Sequence, residues 1–315
     1  MKAAIWAVVG SAVLAQVTGC ALDTGESGEE DVSSVQLGLA LCPTGAACVT
    51  KSLGNLTVRY YTCGWSSLGQ RNKATCTVDS DFVLVGGGAE IADDGAPGAL
   101  LTGSYPSGES WIARSKDHEQ AYPHRTRAYA IGLRIAGLSK SALQQSVKTK
   151  SFSSTGTVAH PSISYFPPSN ELILSGGAWT TYTGAGQLLT KSNRSSGGTG
   201  WVAASKDHVT SDPGGVDVYV TTILKRPIGT TIDLATDQAT SESLSSGGGY
   251  RSTTSISVDS SFVTGIGASD SGANRLLTDA YPSSSARGGG TVTTKDHMTP
   301  ASGAAQLTLV RLREL

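Results

Sequence analysis

The residue types best suited to chemistry in this sequence are lysine, aspartate and histidine, joined in one tripeptide that occurs three times. The copies are Lys116-Asp117-His118, Lys206-Asp207-His208 and Lys295-Asp296-His297. Their intervals, 206 − 116 = 90 and 295 − 206 = 89 residues, are nearly equal. A fixed period of this length indicates one supersecondary unit that packs against copies of itself. The sequence therefore predicts a triplicated protein.

Strand geometry assigns the side chains of this motif to two faces. If residues 111–118 are extended, Trp111 and Asp117 share one face, and Lys116 and His118 share the other. We expect the aspartates to accept backbone hydrogen bonds where the strand turns. On an outward face, the ammonium group would pair with a carboxylate or sulfate, and the imidazole would bond a hydroxyl.

Tyrosines on the preceding loops would add stacking faces for sugar rings. The predicted ligand-binding residues are therefore Lys116, His118, Lys206, His208, Lys295, His297, Tyr105 and Tyr281. The plainer alternative is that lysine and histidine only solvate the end of a strand.

Two chemical alternatives use the same residues. Near a threefold axis, His118, His208 and His297 would converge as three nitrogen ligands of a metal, although three lysine charges alongside would repel the cation. A polysaccharide lyase would use Lys116 as neutraliser, His118 as base and Tyr105 as acid. The sequence contains none of the Gly-x-Ser-x-Gly, His-Glu-x-x-His, phosphate-loop or Rossmann motifs. We therefore expect no cofactor, favour a protein that is not an enzyme, and assign no catalytic residues.

Other landmarks keep the same period as the tripeptide. Leu84 to Ala89 matches Leu174 to Ala178 and Gly265 to Ala268, and a Leu-Leu-Thr motif recurs at 100–102, 188–190 and 276–278.

The predicted organisation is a signal peptide at 1–19, an acidic tether at 20–41, and repeats at 42–137, 138–226 and 227–315.

Composition predicts an all-β fold. The chain has 39 glycines in 315 residues, is only 16% charged, and alternates β-branched runs with Gly- and Ser-rich turns. Junctions between repeats are short, which favours one closed, pseudo-threefold, β-prism-like assembly over three serial β-sandwiches. Glycine inside the strands of the repeated Gly-rich motif marks places where another backbone or a ligand comes close.

The N-terminus has the pattern of an export signal. Lys2 precedes an apolar stretch that closes with Val17-Thr18-Gly19-Cys20. This ending resembles the lipobox of bacterial lipoproteins, and the resemblance covers about the first twenty residues. It implies cleavage before Cys20, acylation of Cys20 (palmitate among the acyl chains), and anchoring to a membrane through lipid. In the enteric members of this family an aspartate after the cysteine retains the protein at the inner membrane. Ala21 stands at that position here, so the resemblance implies outer-membrane or cell-surface placement over the inner membrane. The alternative is an ordinary secretory signal cut nearby, with Cys20 left as a free thiol.

The remaining four cysteines agree with an oxidising compartment. Pairing of Cys42 with Cys48 and of Cys63 with Cys76 would close short loops, and it is preferred among the three possible connectivities. Zinc is disfavoured because neither spacing is a Cys-x-x-Cys knuckle.

These features predict a lipid-anchored envelope or cell-surface protein that binds or adheres multivalently, with glycans as the expected ligands. The alternatives are an envelope enzyme acting on acidic polysaccharide, either lyase-like or metal-dependent, and a purely structural surface protein. The formal net charge of −1 gives no electrostatic support for binding nucleic acid.

Overall fold

The structure, a computed structural model, describes residues 40–42, 45–92, 98–245, 251–257, 261–272, 275–283, 288–298 and 302–315. In these ranges the chain forms twenty β-strands and one short α-helix, so the predicted all-β class is confirmed. β1 (Ala40–Leu41) lies at the end of the predicted tether. The predicted first repeat contains β2 (Ala47–Leu53), β3 (Leu56–Trp65), β4 (Arg71–Thr77), β5 (Val83–Ala92), β6 (Leu100–Ser107), β7 (Ser110–Lys116) and β8 (Arg125–Ile135). The second forms α1 (Lys140–Ser146), β9 (Val147–Ser153), β10 (Ser162–Tyr165), β11 (Glu171–Thr181), β12 (Leu188–Arg194), β13 (Trp201–Lys206) and β14 (Gly215–Leu224). The third forms β15 (Leu234–Ser245), β16 (Arg251–Ser257), β17 (Phe262–Asp270), β18 (Arg275–Pro282), β19 (Gly289–Asp296) and β20 (Gly303–Glu314).

Every sheet is built from two repeats. Sheet I has the order β4-β7-β6-β11-β14-β9 and joins repeats one and two. Sheet II has the order β10-β13-β12-β17-β20-β15 and joins repeats two and three. Sheet III, with the order β1-β2-β3-β8-β5-β18-β19-β16, joins repeats three and one. Repeat one thus shares a sheet with repeat two, repeat two with repeat three, and repeat three with repeat one. The repeats therefore form a closed, pseudo-threefold assembly and not three serial sandwiches.

Glycine-rich strands bring the three repeats into backbone contact. A Cβ atom on Gly86 of β5 would lie 1.9 Å from the Thr264 carbonyl oxygen of β17, and one on Gly265 would lie 2.5 Å from the Leu174 carbonyl oxygen of β11. The Ser175 hydroxyl of β11 donates to the Val85 carbonyl oxygen at 2.6 Å. The predicted close approach at these glycines is therefore an approach of backbone to backbone.

The interior also explains why the third repeat departs from the pattern. Trp111 and Trp201 are fully buried, and their indole rings occupy the space beside Gly87 and Gly176. In repeat three the tryptophan position is Gly290, which lies against the side chain of Ile266, the residue that replaces the glycine. The large and small residues have exchanged strands, so the core stays filled.

Two disulfides fix the beginning of the fold. Cys42 pairs with Cys48 and Cys63 with Cys76, at Cα–Cα separations of 6.0 and 5.5 Å, which confirms the preferred connectivity. Among the residues that the structure describes, no helix combines the length and the apolar character needed to cross a membrane. The predicted signal peptide, Cys20 and most of the tether lie outside the described residues.

Candidate functional site

The three histidines of the repeated tripeptide meet in a ring. The Nε2 atom of His118 lies 2.6 Å from the His208 carbonyl oxygen, that of His208 lies 2.9 Å from the His297 carbonyl oxygen, and that of His297 lies 3.0 Å from the His118 carbonyl oxygen. The imidazole centroids are 4.7 to 5.8 Å apart. Each repeat thus donates one hydrogen bond to the next and accepts one from the previous, and the cycle closes. The three imidazoles therefore converge at one place, which is the condition that the metal alternative required.

A strained turn follows each histidine. Glu119, Val209 and Met298 have φ angles of +59°, +64° and +61°, a region that residues with side chains rarely adopt. In the first two turns the backbone N–H two residues beyond the histidine donates to the histidine carbonyl oxygen at 2.7 Å. That oxygen therefore accepts both this bond and the bond from the neighbouring imidazole. We attribute the persistence of the strain to the ring, which fixes the position of each carbonyl group.

The lysines of the tripeptide cross the same three seams. The Lys116 Nζ atom of repeat one donates to the carbonyl oxygens of Gly184 and Gly186 in repeat two, and it lies 3.7 Å from the centroid of the Tyr182 ring. The Lys295 Nζ atom of repeat three donates to the Gly98 carbonyl oxygen of repeat one. Lys206 of repeat two lies 3.9 Å from the Asp270 carboxylate of repeat three.

These contacts correct the predicted outward face. Alternation does place Lys116 opposite Trp111, but the loop from Tyr182 to Gln187 of the next repeat folds over it. Lys116, His118, Lys295 and His297 are all at most 1% exposed, and Lys206 and His208 are below 10%. A dissolved ligand does not reach groups buried in this way. We call these six residues the axis cluster.

The aspartate of the tripeptide is structural in each copy, by a different contact. The Asp117 carboxylate accepts from the Tyr122 N–H at 3.1 Å, which is the predicted role. Asp207 lies 3.5 Å from the imidazole of His160, and Asp296 accepts from the Arg275 guanidinium at 2.7 Å.

The ring geometry does not suit a metal. At 2.6 to 3.0 Å from a carbonyl oxygen, each Nε2 atom must carry the hydrogen that it donates, so it has no lone pair for a cation. Within the described part of the chain, no group of three His, Cys, Asp or Glu side chains has the geometry to hold a metal ion.

The lyase combination is not assembled either. Tyr105 pairs with Ile112 across β6 and β7, whereas Lys116 lies at the end of β7, four residues further along the strand. At about 3.3 Å per residue this separation is roughly 13 Å. Tyr105 therefore cannot act on the same substrate atoms as Lys116 and His118.

Burial sets the charge state of the axis cluster. Desolvation lowers the pKa of His297 to about 4, and the nearby His118 and His208 lower it further in the same direction. Desolvation likewise lowers the pKa of His208, and it lowers the pKa of Lys116 to about 8. The Nδ1 atom of His297 is buried and has no hydrogen-bond partner in the described part of the chain, so a second proton on this ring would be poorly solvated.

A different arrangement lies on the outer face of sheet I. Tyr105, which lies in β6 and not on a loop, stacks on Trp179 at 5.6 Å and on Tyr219 at 4.9 Å between ring centroids. Tyr105 is buried in this stack, 7% exposed, so the half-buried Trp179 and Tyr219 are the rings that a ligand can reach. Trp179 pairs across the seam with Gly103, and Gly177 pairs with Tyr219. A Cβ atom on either glycine would lie within 3.2 Å of the rings or of the Tyr105 backbone, so glycine makes room for the stack.

Basic residues border one side of these rings. The Arg114 guanidinium lies 5.2 Å from the Trp179 ring centroid, and its Nε atom donates to the Tyr105 hydroxyl at 3.0 Å. Lys73 pairs with Arg114 in register and is exposed. Among the described residues, neither cation has a carboxylate within salt-bridge distance. Both are therefore available to an anionic group.

The other side of the rings is polar and acidic. Asp217 pairs with Trp179 across β11 and β14. Desolvation, and to a smaller extent the charge of Asp217, raises the pKa of Tyr219 to about 12. Asp217 also lines a groove of about 340 Å³. The remaining lining is mostly hydroxyl and glycine: Ser153, Ser154, Gly156, Thr157, Thr181, Tyr182, Thr183, Pro213, Gly214, Gly215 and Val216. We call Lys73, Arg114, Tyr105, Trp179, Tyr219 and Asp217 the aromatic face.

The equivalent positions on sheet III form a smaller stack. Tyr129 stacks on Tyr281 at 5.1 Å, but Glu90 takes the place of Trp179 and accepts a hydrogen bond from the Tyr129 hydroxyl. Arg127 lies 3.7 Å from Glu90, and its guanidinium is 3.9 Å from the ring centroid of Trp65. The cation on this face is thus paired internally.

The equivalent positions on sheet II carry no aromatic ring. Asn193 replaces the first tyrosine, Thr308 the second, and Ser269 the tryptophan. The Asn193 amide donates to the Ser269 hydroxyl at 3.2 Å, which in turn donates to Gln306 at 2.8 Å. The three outer faces are therefore chemically different, although the strands beneath them correspond.

Sequence reasoning identified Tyr105 and Tyr281 but missed Trp179, Tyr219, Arg114 and Lys73. These residues belong to two repeats and have no counterparts of the same type in all three, so a search for repeated motifs passes over them. One available signal was Trp179, which directly follows the Gly-Gly-Ala motif of the second repeat at a position where the other copies have the polar residues Glu90 and Ser269.

Comparison of the sequence with protein-family models and with curated proteins finds no match to this chain.

Proposed function

We propose that this protein is a lipid-anchored, non-catalytic binding module of the cell envelope, which holds glycans bearing an acidic group on the aromatic face. One observation carries the proposal: a stack of three aromatic rings lies beside two cations that have no carboxylate partner in the described part of the chain. Aromatic rings present flat apolar surfaces to the C–H faces of sugars, and guanidinium recognises carboxylate or sulfate in two-pronged fashion.

The order of groups across the face gives a ligand orientation. The acidic substituent would lie toward Arg114 and Lys73, and a sugar ring would stack on Trp179 and Tyr219. Hydroxyl groups of the next sugar would then reach Asp217 and the hydroxyl-lined groove. Because the Arg114 Nε atom already bonds Tyr105, its remaining N–H groups are held in a fixed direction before a ligand arrives.

The proposal retains multivalent binding in a reduced form. The Tyr129–Tyr281 stack on sheet III would be a second, weaker site, since its arginine is already paired with Glu90. Sheet II would contribute no site. Two unequal sites on one rigid body still gain avidity on a polymer whose spacing matches them.

A glycan array tests the binding. Full-length chain carrying Cys20→Ser, to keep it off membranes, would be probed against neutral oligosaccharides and against the same backbones bearing uronate or sulfate. We expect Trp179→Ala to weaken all binding at least about tenfold, and Arg114→Gln to weaken binding of the acidic forms selectively. Phe152→Ala is the matched control, because Phe152 is exposed but pairs with the buried Val218 and so lies on the opposite side of sheet I. No binding to any glycan, or binding that both variants leave intact, would refute the site.

The anchor needs a separate test. Metabolic labelling with a fatty acid, followed by fractionation, should place the native chain in the membrane fraction with label, and the Cys20→Ser variant in the soluble fraction without it. Unlabelled native protein in the soluble fraction would contradict the lipid anchor.

A further inference from the structure

The three seams of the axis cluster differ at one position. Each repeated lysine reaches toward the end of the Gly-rich strand of the next repeat, two residues beyond the alanine that closes the glycine motif. That position is Ile91 in repeat one and Thr180 in repeat two, but it is Asp270 in repeat three. Among these three positions only Asp270 supplies a carboxyl group, and Lys206 Nζ lies 3.9 Å from Asp270 Oδ2.

The surroundings of this pair disfavour an ordinary salt bridge. Counted as side chains alone, Lys206 and Asp270 are 11% and 12% exposed, and the buried Asp270 Oδ2 atom has no hydrogen-bond partner among the residues that the structure describes. Desolvation raises the pKa of Asp270 to about 7 and lowers the pKa of Lys206. Burial therefore favours the neutral forms of both groups, a carboxylic acid and an amine, and these are the forms that condense.

We propose that Lys206 and Asp270 become joined by an intramolecular amide bond. The Nζ lone pair attacks Cγ of the carboxylic acid and forms a tetrahedral carbon. A proton then passes from the nitrogen to one hydroxyl group of this carbon. The C–O bond to that hydroxyl breaks, water leaves, and the C=O bond of the amide re-forms. Nothing is oxidised or reduced, and no co-reactant enters.

The fold supplies what this step needs. The strands hold the two groups near contact distance, so the reaction avoids the entropic cost of bringing them together. The positive charges of Arg275 and Lys191 act on the Asp270 carboxyl, and they also favour the developing oxyanion. Burial withholds the bulk water that would favour the reverse hydrolysis.

The bond would be a covalent cross-link in a part of the fold where the described cysteines form none. Both disulfides lie in repeat one, whereas the amide would tie β13 of repeat two to β17 of repeat three. A covalent tie at this seam would oppose the opening of the closed ring from its C-terminal repeat.

Mass spectrometry of the purified full chain decides the matter. We expect an intact mass one water lower than that of the processed sequence with its two disulfides and acyl chains. We also expect a tryptic product in which the peptides containing Lys206 and Asp270 are joined, with no cleavage after Lys206. Lys116→Arg, at the seam that presents threonine, should keep the deficit. Lys206→Arg should remove the mass deficit. A succinimide formed at Asp270 alone would also lower the mass by one water, but that deficit would remain in Lys206→Arg. Native chain of full mass with separate Lys206 and Asp270 peptides would overturn the proposal.

Discussion

The axis cluster and the outer sheet faces have diverged to opposite extents. Lysine and histidine are identical in all three copies at the axis, where every side chain contacts the next repeat. The outer positions that correspond to Trp179 carry glutamate, tryptophan and serine in the three repeats. Closure of a ring requires the same contact at each of its three seams, whereas a ligand needs only one suitable surface. Repetition therefore marks assembly in this protein, and departure from repetition marks the candidate binding site.

The largest expected effect tests the backbone contacts near the axis. In Gly86→Ala the new Cβ atom would lie 1.9 Å from the Thr264 carbonyl oxygen, and backbone cannot easily move away. We expect a loss of about 3 kcal/mol or more in the free energy of unfolding, measured by chemical denaturation. Gly64→Ala is the control, since a Cβ atom there meets nothing within 4 Å, and its loss should stay below about 1 kcal/mol. Equal losses in Gly86→Ala and Gly64→Ala would show that close backbone contact is not what requires glycine at position 86.

The next effect tests the histidine ring itself. His208→Ala removes the donor to the His297 carbonyl oxygen and leaves a cavity, so we expect it to lower the free energy of unfolding by about 2–3 kcal/mol. His208→Gln can place an N–H in a similar position and should recover at least half of that loss. Denaturation curves of the two variants make the measurement. If glutamine is no better than alanine, the hydrogen bond is not what the ring contributes.

The pH dependence gives a third test. Folding lowers the pKa of His297 from its usual value near 6.5 to about 4, so the unfolded chain takes up a proton that the folded chain excludes. Stability present above about pH 6.5 should therefore be lost as the pH falls toward 4, by on the order of 2 kcal/mol. His297→Gln lacks this titration and should show a flatter profile.

The difference between the two profiles isolates the histidine. Asp117 and Glu90 have raised pKa values, which act in the opposite direction, but they contribute to both chains alike. Parallel profiles for the native chain and the variant would show that the ring does not couple folding to protonation.

The smallest effect concerns the strained turns. Val209 is 61% exposed and has a φ of +64°, so Val209→Gly removes backbone strain while losing little packing. The greater entropy of glycine in the unfolded chain offsets part of the gain. We expect stability to stay constant or to rise by up to about 1 kcal/mol in thermal melts. A loss of more than about 1 kcal/mol would show that Val209 contributes contacts of its own.

Much of the architecture followed from the sequence. The period, the β-rich composition and the short junctions predicted a closed triplicated fold, and loop lengths predicted both disulfides. Alternation correctly put Lys116 opposite Trp111, but it could not show that residues 182–187 of the next repeat cover the lysine. Pairing of strands from different repeats also brings Tyr105 beside Trp179 and Tyr219, which are 74 and 114 positions further along the chain (179 − 105 and 219 − 105). Local patterns contain no information about such pairings.

The most direct test compares one substitution from each region in a single binding and melting experiment. Lys116→Met should lower the melting temperature, because it removes the bonds to Gly184 and Gly186, while the folded fraction keeps its affinity for the acidic glycans. Trp179→Ala should weaken that binding at least about tenfold and leave the melting temperature within a few degrees of the native value. If Lys116→Met instead abolishes binding at an unchanged melting temperature, the repeated tripeptide is the binding site and the assignment of the two regions is wrong.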